Sequence, residues 1–315
     1  MVKAKEITGL DCAADALLWA ADVLRASFGE VLALRGAALD FSDIEGVHAM
    51  RVATRRLRSA LRDFTPLMDR RPPKRVRKEL KQLADTLGTV RDQDVAIVAL
   101  EALQKEAEDE PIKEGIGRLL AKRNDSRDAA RLDLKKALAA EILNDLQALF
   151  TTAIGKMKSG NKLKRIISFN EAGREVVADG SQDLIELGSS LYEPFNIEGL
   201  HEMRIAAKRL RYAVELFTAC WGASIAPYAE EIAAMQGFLG EVHDCDVWIE
   251  GLGKRLRLGT EKSGATNESD YQTAVWLLSK FVKKRTKEYR SALKLWSEWQ
   301  SNDFAQRMRA IVESS

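Results

Sequence analysis

The chain has 315 residues, of which 46% are hydrophobic and 30% are charged, and it contains six prolines. This length suffices for about two domains with cores of their own, which excludes a mini-protein. Abundant Ala and Leu predict an all-α protein. Cys12, Cys220 and Cys245 are odd in number and lack metal-ligand spacing, so neither a disulfide framework nor a zinc site is expected. No secretory signal or membrane-spanning apolar run is found, and the expected localisation is cytoplasmic.

Hydrophobic periodicity predicts helices along most of the chain. The clearest ones begin at Asp43 and Asn196, which are good N-cap residues before apolar-periodic runs. Between residues 155 and 181, Gly, Ser, Asn and Lys interrupt the periodicity and predict a boundary. The predicted helices cover residues 11–39, 43–64, 74–87 or beyond, 112–150, 183–191, 196–217, 228–239, 271–299 and 303–312.

Two motifs occur twice in the same order. DIEGVHAMRVATRRLRSALRDF at 43–64 recurs as NIEGLHEMRIAAKRLRYAVELF at 196–217, with 12 of 22 positions identical. LGTVRDQDV at 87–95 recurs as LGEVHDCDV at 239–247. Because both recur at almost the same offset, they indicate an internal duplication.

The duplication predicts the domain organisation. A weaker match of LLAK with LLSK extends the alignment and pairs Arg127 with Arg285. The chain is therefore expected to consist of two related halves, 1–157 and 158–315. Each half has the helix pattern of a bundle of about four long helices.

Positive charge is concentrated in one segment. Residues 51–81 contain 12 Lys or Arg and three Asp or Glu, whereas the rest of the chain contains 37 basic and 44 acidic residues. On a helix, five basic side chains of the first motif fall within an arc of about 80°, opposite an apolar face. This first row consists of His48, Arg51, Arg55, Arg58 and Arg62.

The second copy repeats the arrangement, and further basic residues flank the first. All three histidines of the chain, His48, His201 and His243, lie within the repeated motifs. Arg binds phosphate with a planar, permanently charged fork, so a polyanionic ligand is predicted. The second row consists of His201, Arg204, Lys208 and Arg211. The flanking basic residues are Lys74, Arg77, Lys78 and Lys81. Alternatively, some arginines could be neutralised by Asp92, Asp94, Asp244 and Asp246.

The HxMRxAxRRLR run from His48, its sister HxMRxAxKRLR run from His201 and the LGxxRDxDV and LGxxHDxDV segments resemble the CHAD family, the conserved histidine α-helical domains. The resemblance covers nearly the whole chain. It implies two four-helix bundles related by a pseudo-twofold axis, and a basic surface or channel that binds inorganic polyphosphate without catalysis. It also implies association with polyphosphate granules.

The resemblance implies phosphate contacts from the whole second row, and in the first half from His48, Arg51, Arg55, Arg58 and Arg91. The chain departs from the pattern where His243 replaces the Arg of the second RD segment and where Glu215 stands in the place of Arg62. These departures put the outer end of the second row in doubt. No cofactor, metal or membrane partner is expected.

Two other functions remain open for such a sequence. The His243–Asp244 dipeptide is typical of part of a metal site, which would fit a metal-dependent phosphohydrolase acting on polyphosphate or nucleotides. The matching Arg91–Asp92 lacks the histidine ligand. The basic segment could instead bind nucleic acid, but Tyr212 is the only aromatic residue beside the rows that could stack on bases. A role as an adaptor on granules is compatible with polyanion binding.

Overall fold

The computed structural model describes residues 11–68, 73–157, 167–261 and 268–314. Within these ranges the chain is helical, and the only extended pairing is an isolated bridge between Asp15 and Ser168. The predicted all-α class is confirmed. The α-helices are α1 (Ala16–Ala33), α2 (Arg35–Leu39), α3 (Ile44–Asp63), α4 (Lys74–Glu106), α5 (Glu110–Ala137), α6 (Ala140–Met157), α7 (Phe169–Glu186), α8 (Ile197–Trp221), α9 (Ala226–Glu261), α10 (Glu268–Ser301) and α11 (Phe304–Ser314).

The helices that carry the two rows begin as predicted. Asp43 precedes α3 and its carboxylate accepts a hydrogen bond from the backbone N–H of Glu45 at 2.8 Å. Asn196 precedes α8 and its side-chain oxygen accepts one from the N–H of Gly199 at 2.9 Å. Each cap satisfies a backbone N–H group that has no partner within its helix.

The predicted interruption between residues 155 and 181 is partly wrong. Residues 158–166 lie outside the described ranges, but residues 178–183 belong to α7 rather than to a linker. Gly180 lies against Leu210, where a Cβ would be 3.4 Å from the leucine Cδ1. Packing of this helix face thus supports a helix where composition alone predicts a break.

The chain divides into two compact units. The first contains residues 1–99, 122–176 and 215–220, and the second contains 100–121, 177–214 and 221–315. Both units are discontinuous in sequence, so their bounds are not those of the predicted halves. The related halves 1–157 and 158–315 therefore stay a prediction.

Aromatic rings fill the core of the first unit. Phe64, at the end of α3, lies 5.9 Å from Phe169 and 5.9 Å from Phe217, measured between ring centroids. Phe28 stacks on Phe150 at 4.5 Å. The repeated Phe64 and Phe217 of the first motif therefore meet in one cluster of buried rings, which fixes the apolar side of α3.

In the second unit, α9 packs against α10. Trp248 stacks on Phe281 with 4.9 Å between ring centroids. Leu277 of α10 is fully buried, together with Leu100 and Ile116. A Cβ on Gly115 would lie 2.0 Å from the Thr273 hydroxyl, so the absence of a side chain lets α5 approach α10 closely.

Cys12 and Cys220 form a disulfide, contrary to the expectation from the sequence. Their Cα atoms lie 5.5 Å apart although the residues are separated by 208 positions. The fold brings them together because the segment before α1 pairs with residues 167–170, through bonds that include the Asn170 N–H and the Cys12 carbonyl. Cys245 is buried and free. Disulfides are typical of oxidising compartments, and the cytoplasmic localisation stays a prediction.

The glycine of the repeated IEG sequence is required by close packing. A Cβ on Gly46 would lie 2.0 Å from the backbone oxygen of Ala37, where α3 crosses α2. A Cβ on Gly199 would lie 2.7 Å from the Ser190 hydroxyl. In both copies the helix that carries the basic row therefore begins against a close neighbour.

Gly46→Ala is expected to lower the free energy of unfolding by about 1–3 kcal/mol, because a backbone atom must move to admit the methyl group. Urea denaturation measures the change. The control is Gly29→Ala in α1, where a Cβ meets nothing within 4 Å. That control should be neutral or stabilising by up to about 1 kcal/mol. Equal stability of the two variants would contradict the close crossing.

Candidate anion-binding sites

The first row lies on the face of α3 opposite the core. Met50 and Leu57 are completely buried on the other side of this helix. His48, Arg51 and Arg55 are half-buried, whereas Arg58 and Arg62 are exposed. The side chains therefore follow the two faces predicted from the helical period. The half-buried members are partly covered by protein, and the Nε atoms of Arg51 and Arg55 are buried.

The acidic residues near the first row contact its arginines at different distances. The Nη2 atom of Arg51 lies 4.0 Å from Asp92, which is beyond hydrogen-bond distance. Arg62 instead donates to its neighbour Asp63 at 2.6 Å and to the Ser59 hydroxyl at 2.9 Å. Among the described residues, no carboxylate lies within ion-pair distance of Arg58. Arg62 is thus held by its own helix, and Arg58 keeps its donors for a ligand.

Arg91 of α4 joins the first row at His48. The Nη1 atom of Arg91 lies 3.5 Å from the exposed carboxylate of Glu45. Burial lowers the pKa of His48, and the positive charges of Arg91, Arg55 and Arg51 lower it further. The Nδ1 atom of His48 is buried and has no hydrogen-bond partner among the described residues. His48 is therefore a neutral imidazole surrounded by cations at neutral pH.

In the second unit, His201 of α8 meets His243 of α9. Their Nδ1 atoms lie 3.3 Å apart, so one imidazole can donate to the other. The pKa of His243 is lowered to about 4 by burial first, then by Arg204 and His201. The pKa of His201 is lowered by burial and by Arg204 and Lys208. The sequence predicts both histidines as site residues, and the structure brings them together with the second row.

Arg211 differs from its counterpart Arg58. It is 8% exposed, whereas Arg58 is open to solvent. Its Nη1 atom donates to the side-chain oxygen of Gln236 at 3.4 Å, and its guanidinium lies 5.7 Å from the centre of the Tyr212 ring. The second row therefore ends in a buried guanidinium, whereas the matching arginine of the first row is open to solvent.

The flanking basic residues lie in the first two turns of α4. Lys74, Arg77, Lys78 and Lys81 are all exposed. No hydrogen bond or ion pair joins them to the first row in the described part of the chain. The structure thus leaves them as a separate basic surface of the first unit.

The buried acids of the second motif pair with arginines outside the rows. Asp94 is 1% exposed and lies 3.9 Å from both Arg127 and Arg131. Asp246 is 8% exposed and accepts from the Nε of Arg285 at 2.5 Å. The proposed neutralisation of the rows by acids therefore does not apply to these two aspartates.

Sequence reasoning missed Arg131 as the equivalent of Arg285. Both arginines contact the buried aspartate of the second motif and also donate to a backbone carbonyl just before the row helix. Arg127, which the alignment pairs with Arg285, also lies 3.9 Å from Asp94, so that alignment stays a prediction. The signal was available, since Arg131 and Arg285 are offset by nearly the same distance as the two motifs.

Within the described ranges, no group of three or more His, Cys, Asp or Glu residues could hold a metal ion. None of the described helices is both long and apolar enough to cross a bilayer.

A family model for the CHAD domain matches residues 22–253, which is well over half of the chain. The protein therefore belongs to the CHAD family. No match was found among curated proteins.

Two solved structures share the fold. The crystal structure of the CHAD domain from the plant Ricinus communis aligns with a TM-score of 0.72 and 20% identity, covering 94% of this chain and 96% of that one. PptA from Streptomyces chartreusis aligns with a TM-score of 0.62 and 14% identity, covering 90% of this chain and all of that one. At these identities the likeness concerns the fold.

Proposed function

We propose that the protein binds inorganic polyphosphate, without catalysis, through its two basic rows. The observation that carries this proposal is the first row, whose cations lie on the face of α3 opposite the core and include Arg58, an exposed arginine with no carboxylate within ion-pair distance among the described residues. The CHAD family is associated with polyphosphate binding, which supports the same ligand.

A regular polyanion suits a row of cations on a helix. Successive members of the first row rise about 5 Å along the axis, and like charges at this distance repel by about 3 kcal/mol at an effective dielectric near 20. A phosphate chain places negative charges at short, regular intervals along the row and relieves several of these repulsions together. Arg51, Arg55 and Arg58 can each donate two parallel hydrogen bonds to phosphate oxygens.

The remaining predicted residues have graded roles in this proposal. His48 and Arg91 complete the inner end of the first row, and His201, Arg204, Lys208 and His243 form the second site. The flanking residues of α4 attract the polyanion over a longer range. Arg62 and Arg211 contribute less, since protein groups already hold their guanidinium groups. The proposed location is the cytoplasm, at polyphosphate granules.

The direct test is a thermal-shift titration with long-chain polyphosphate at two salt concentrations. Binding to the native state should raise the melting midpoint with ligand concentration. The gain should shrink steeply at higher salt, because binding releases condensed counterions. Duplex DNA at equal phosphate concentration is the comparison ligand. A midpoint that polyphosphate leaves unchanged, or that DNA raises equally, would contradict selective polyphosphate binding.

Polyphosphate affinity is expected to rise as the pH falls from 7 to 5. The pKa of His243 in the free protein is lowered to about 4, and a bound polyanion raises it, so binding takes up protons. Proton uptake makes acid favour the complex. Isothermal titration at several pH values measures the effect, and His243→Arg, which restores the residue of the first copy, should flatten the profile. Identical profiles for the two proteins would overturn this role of His243.

A further inference from the structure

Each row helix is tied to the rest of its unit by a three-part contact. In the second unit, the carboxylate of Asp246 accepts from the Nε of Arg285 at 2.5 Å, and the Nη2 atom of Arg285 donates to the Pro194 carbonyl at 2.8 Å. Pro194 lies three residues before α8, which carries the second row. One planar guanidinium thus joins α9 and α10 to the segment that leads into the row helix.

The first unit contains a looser form of this contact, in which the Asp94 carboxylate has no hydrogen-bond partner among the described residues. Asp94 lies 3.9 Å from Arg131, whose Nη2 atom is 3.4 Å from the Phe41 carbonyl, and whose guanidinium lies 4.9 Å from the centre of the Phe41 ring. Phe41 stands three residues before α3. Phe41 precedes His48 by seven residues, and Pro194 likewise precedes His201 by seven residues.

Each aspartate also lies close in sequence to the residue that joins the row histidine, which is Arg91 in the first unit and His243 in the second. Asp94 follows Arg91 by three residues on α4, and Asp246 follows His243 by three residues on α9. Residues three apart lie on the same side of a helix. In the first unit the contact therefore holds the start of α3 against α4, which carries Arg91. In the second unit it holds the start of α8 against α9, which carries His243.

We propose that Asp94 and Asp246 are positioning residues of the binding sites: through Arg131 and Arg285 they hold the start of each row helix so that the row histidine meets its partner. That these residues serve a binding site rests on the proposed function. The placement of His201 against His243 can be tested without any ligand.

The test compares Asp246→Asn with Glu241→Gln in the full chain. Glu241→Gln is the matched control, because it neutralises the acid of another α9–α10 ion pair, Glu241–Lys284 at 2.7 Å, whose partner lies next to Arg285. Histidine NMR titrations give the pKa of His243 in the absence of ligand. Polyphosphate titrations give the dissociation constant at a temperature where circular dichroism shows each variant folded.

Asp246→Asn is expected to raise the pKa of His243 from about 4 toward 6.5, because the buried contact with His201 loosens. Loss of the Asp246 charge alone acts in the opposite direction, since this charge raises the pKa of His243. The sign therefore separates positioning from a direct charge effect. Polyphosphate binding should weaken about 10-fold, and the control should change neither quantity.

An unchanged or lower pKa of His243 would overturn the proposal, and so would a raised pKa with unchanged polyphosphate binding. If the wild-type protein does not bind polyphosphate, the proposed function fails, and the pKa still decides whether Asp246 places His201 against His243. Should Asp246→Asn not fold, Asp94→Asn tests the arrangement in the first unit, where the pKa of His48, lowered by burial and by Arg91, is expected to rise toward 6.5.

Discussion

Reversing two charges of the first row, with Arg51→Glu and Arg55→Glu together, is expected to weaken polyphosphate binding at least about 100-fold. Each arginine supplies charge-assisted hydrogen bonds worth about 1.5–3 kcal/mol, and the new carboxylates repel the ligand. The salt dependence should fall as well, because each lost phosphate contact reduces the slope of log K against log salt by about 0.7–0.9. Fluorescence titration at four salt concentrations measures both quantities.

The matched control reverses two cations of the first unit that lie outside the rows. Arg25 of α1 and Lys136 of α5 are exposed, and each pairs with an aspartate three residues earlier in its own helix. Arg25→Glu with Lys136→Glu changes the net charge by the same amount as the row variant. If both variants lose affinity equally, binding depends on overall charge and not on the row. Circular dichroism confirms that each variant is folded.

Removing the disulfide, with Cys12→Ser and Cys220→Ser, is expected to lower the free energy of unfolding by about 4 kcal/mol. The bond closes a loop of about 200 residues, and a cross-link over so long a loop strongly restricts the unfolded chain. For a protein of this size the melting midpoint should fall by about 6 °C. Differential scanning calorimetry under non-reducing conditions measures the change.

A reducing agent supplies the control for this second prediction. Dithiothreitol should lower the midpoint of the wild-type protein to that of the double variant and leave the variant unaffected. Cys245 is buried and remains in both proteins. A wild-type midpoint that does not respond to the reducing agent would show that the bond contributes nothing to stability in solution.

The sequence was sufficient for the row helices because their signals are local. Asp43 caps α3, Asn196 caps α8, and the period of 3.6 residues separates Met50 and Leu57 from the basic side chains. Arg91 was expected to join the first row and His243 to belong to the site, but the sequence did not predict that His243 contacts His201. These features depend on a few neighbouring residues and on the order of the motifs.

Features that depend on contacts between distant segments escaped prediction. The Cys12–Cys220 bond requires knowing where the segment before α1 is placed, and an odd number of cysteines gives no pairing. Arg211 has the same place in the motif as Arg58, but Gln236 and Tyr212 cover it. Helical period determines which face a side chain occupies, and the neighbouring helices determine whether that face reaches solvent.

The second motif has Arg91 in its first copy and His243 at the matching position of its second copy, so the charges of the two units depend differently on pH. An arginine side chain keeps its charge across the physiological pH range, so the residue at position 91 adds no pH dependence to the first row. The pair of His201 and His243 carries little charge until protons are supplied. On the proposed function, the charge at position 91 attracts phosphate at any physiological pH, whereas the affinity of the second unit for phosphate increases as its surroundings become acidic.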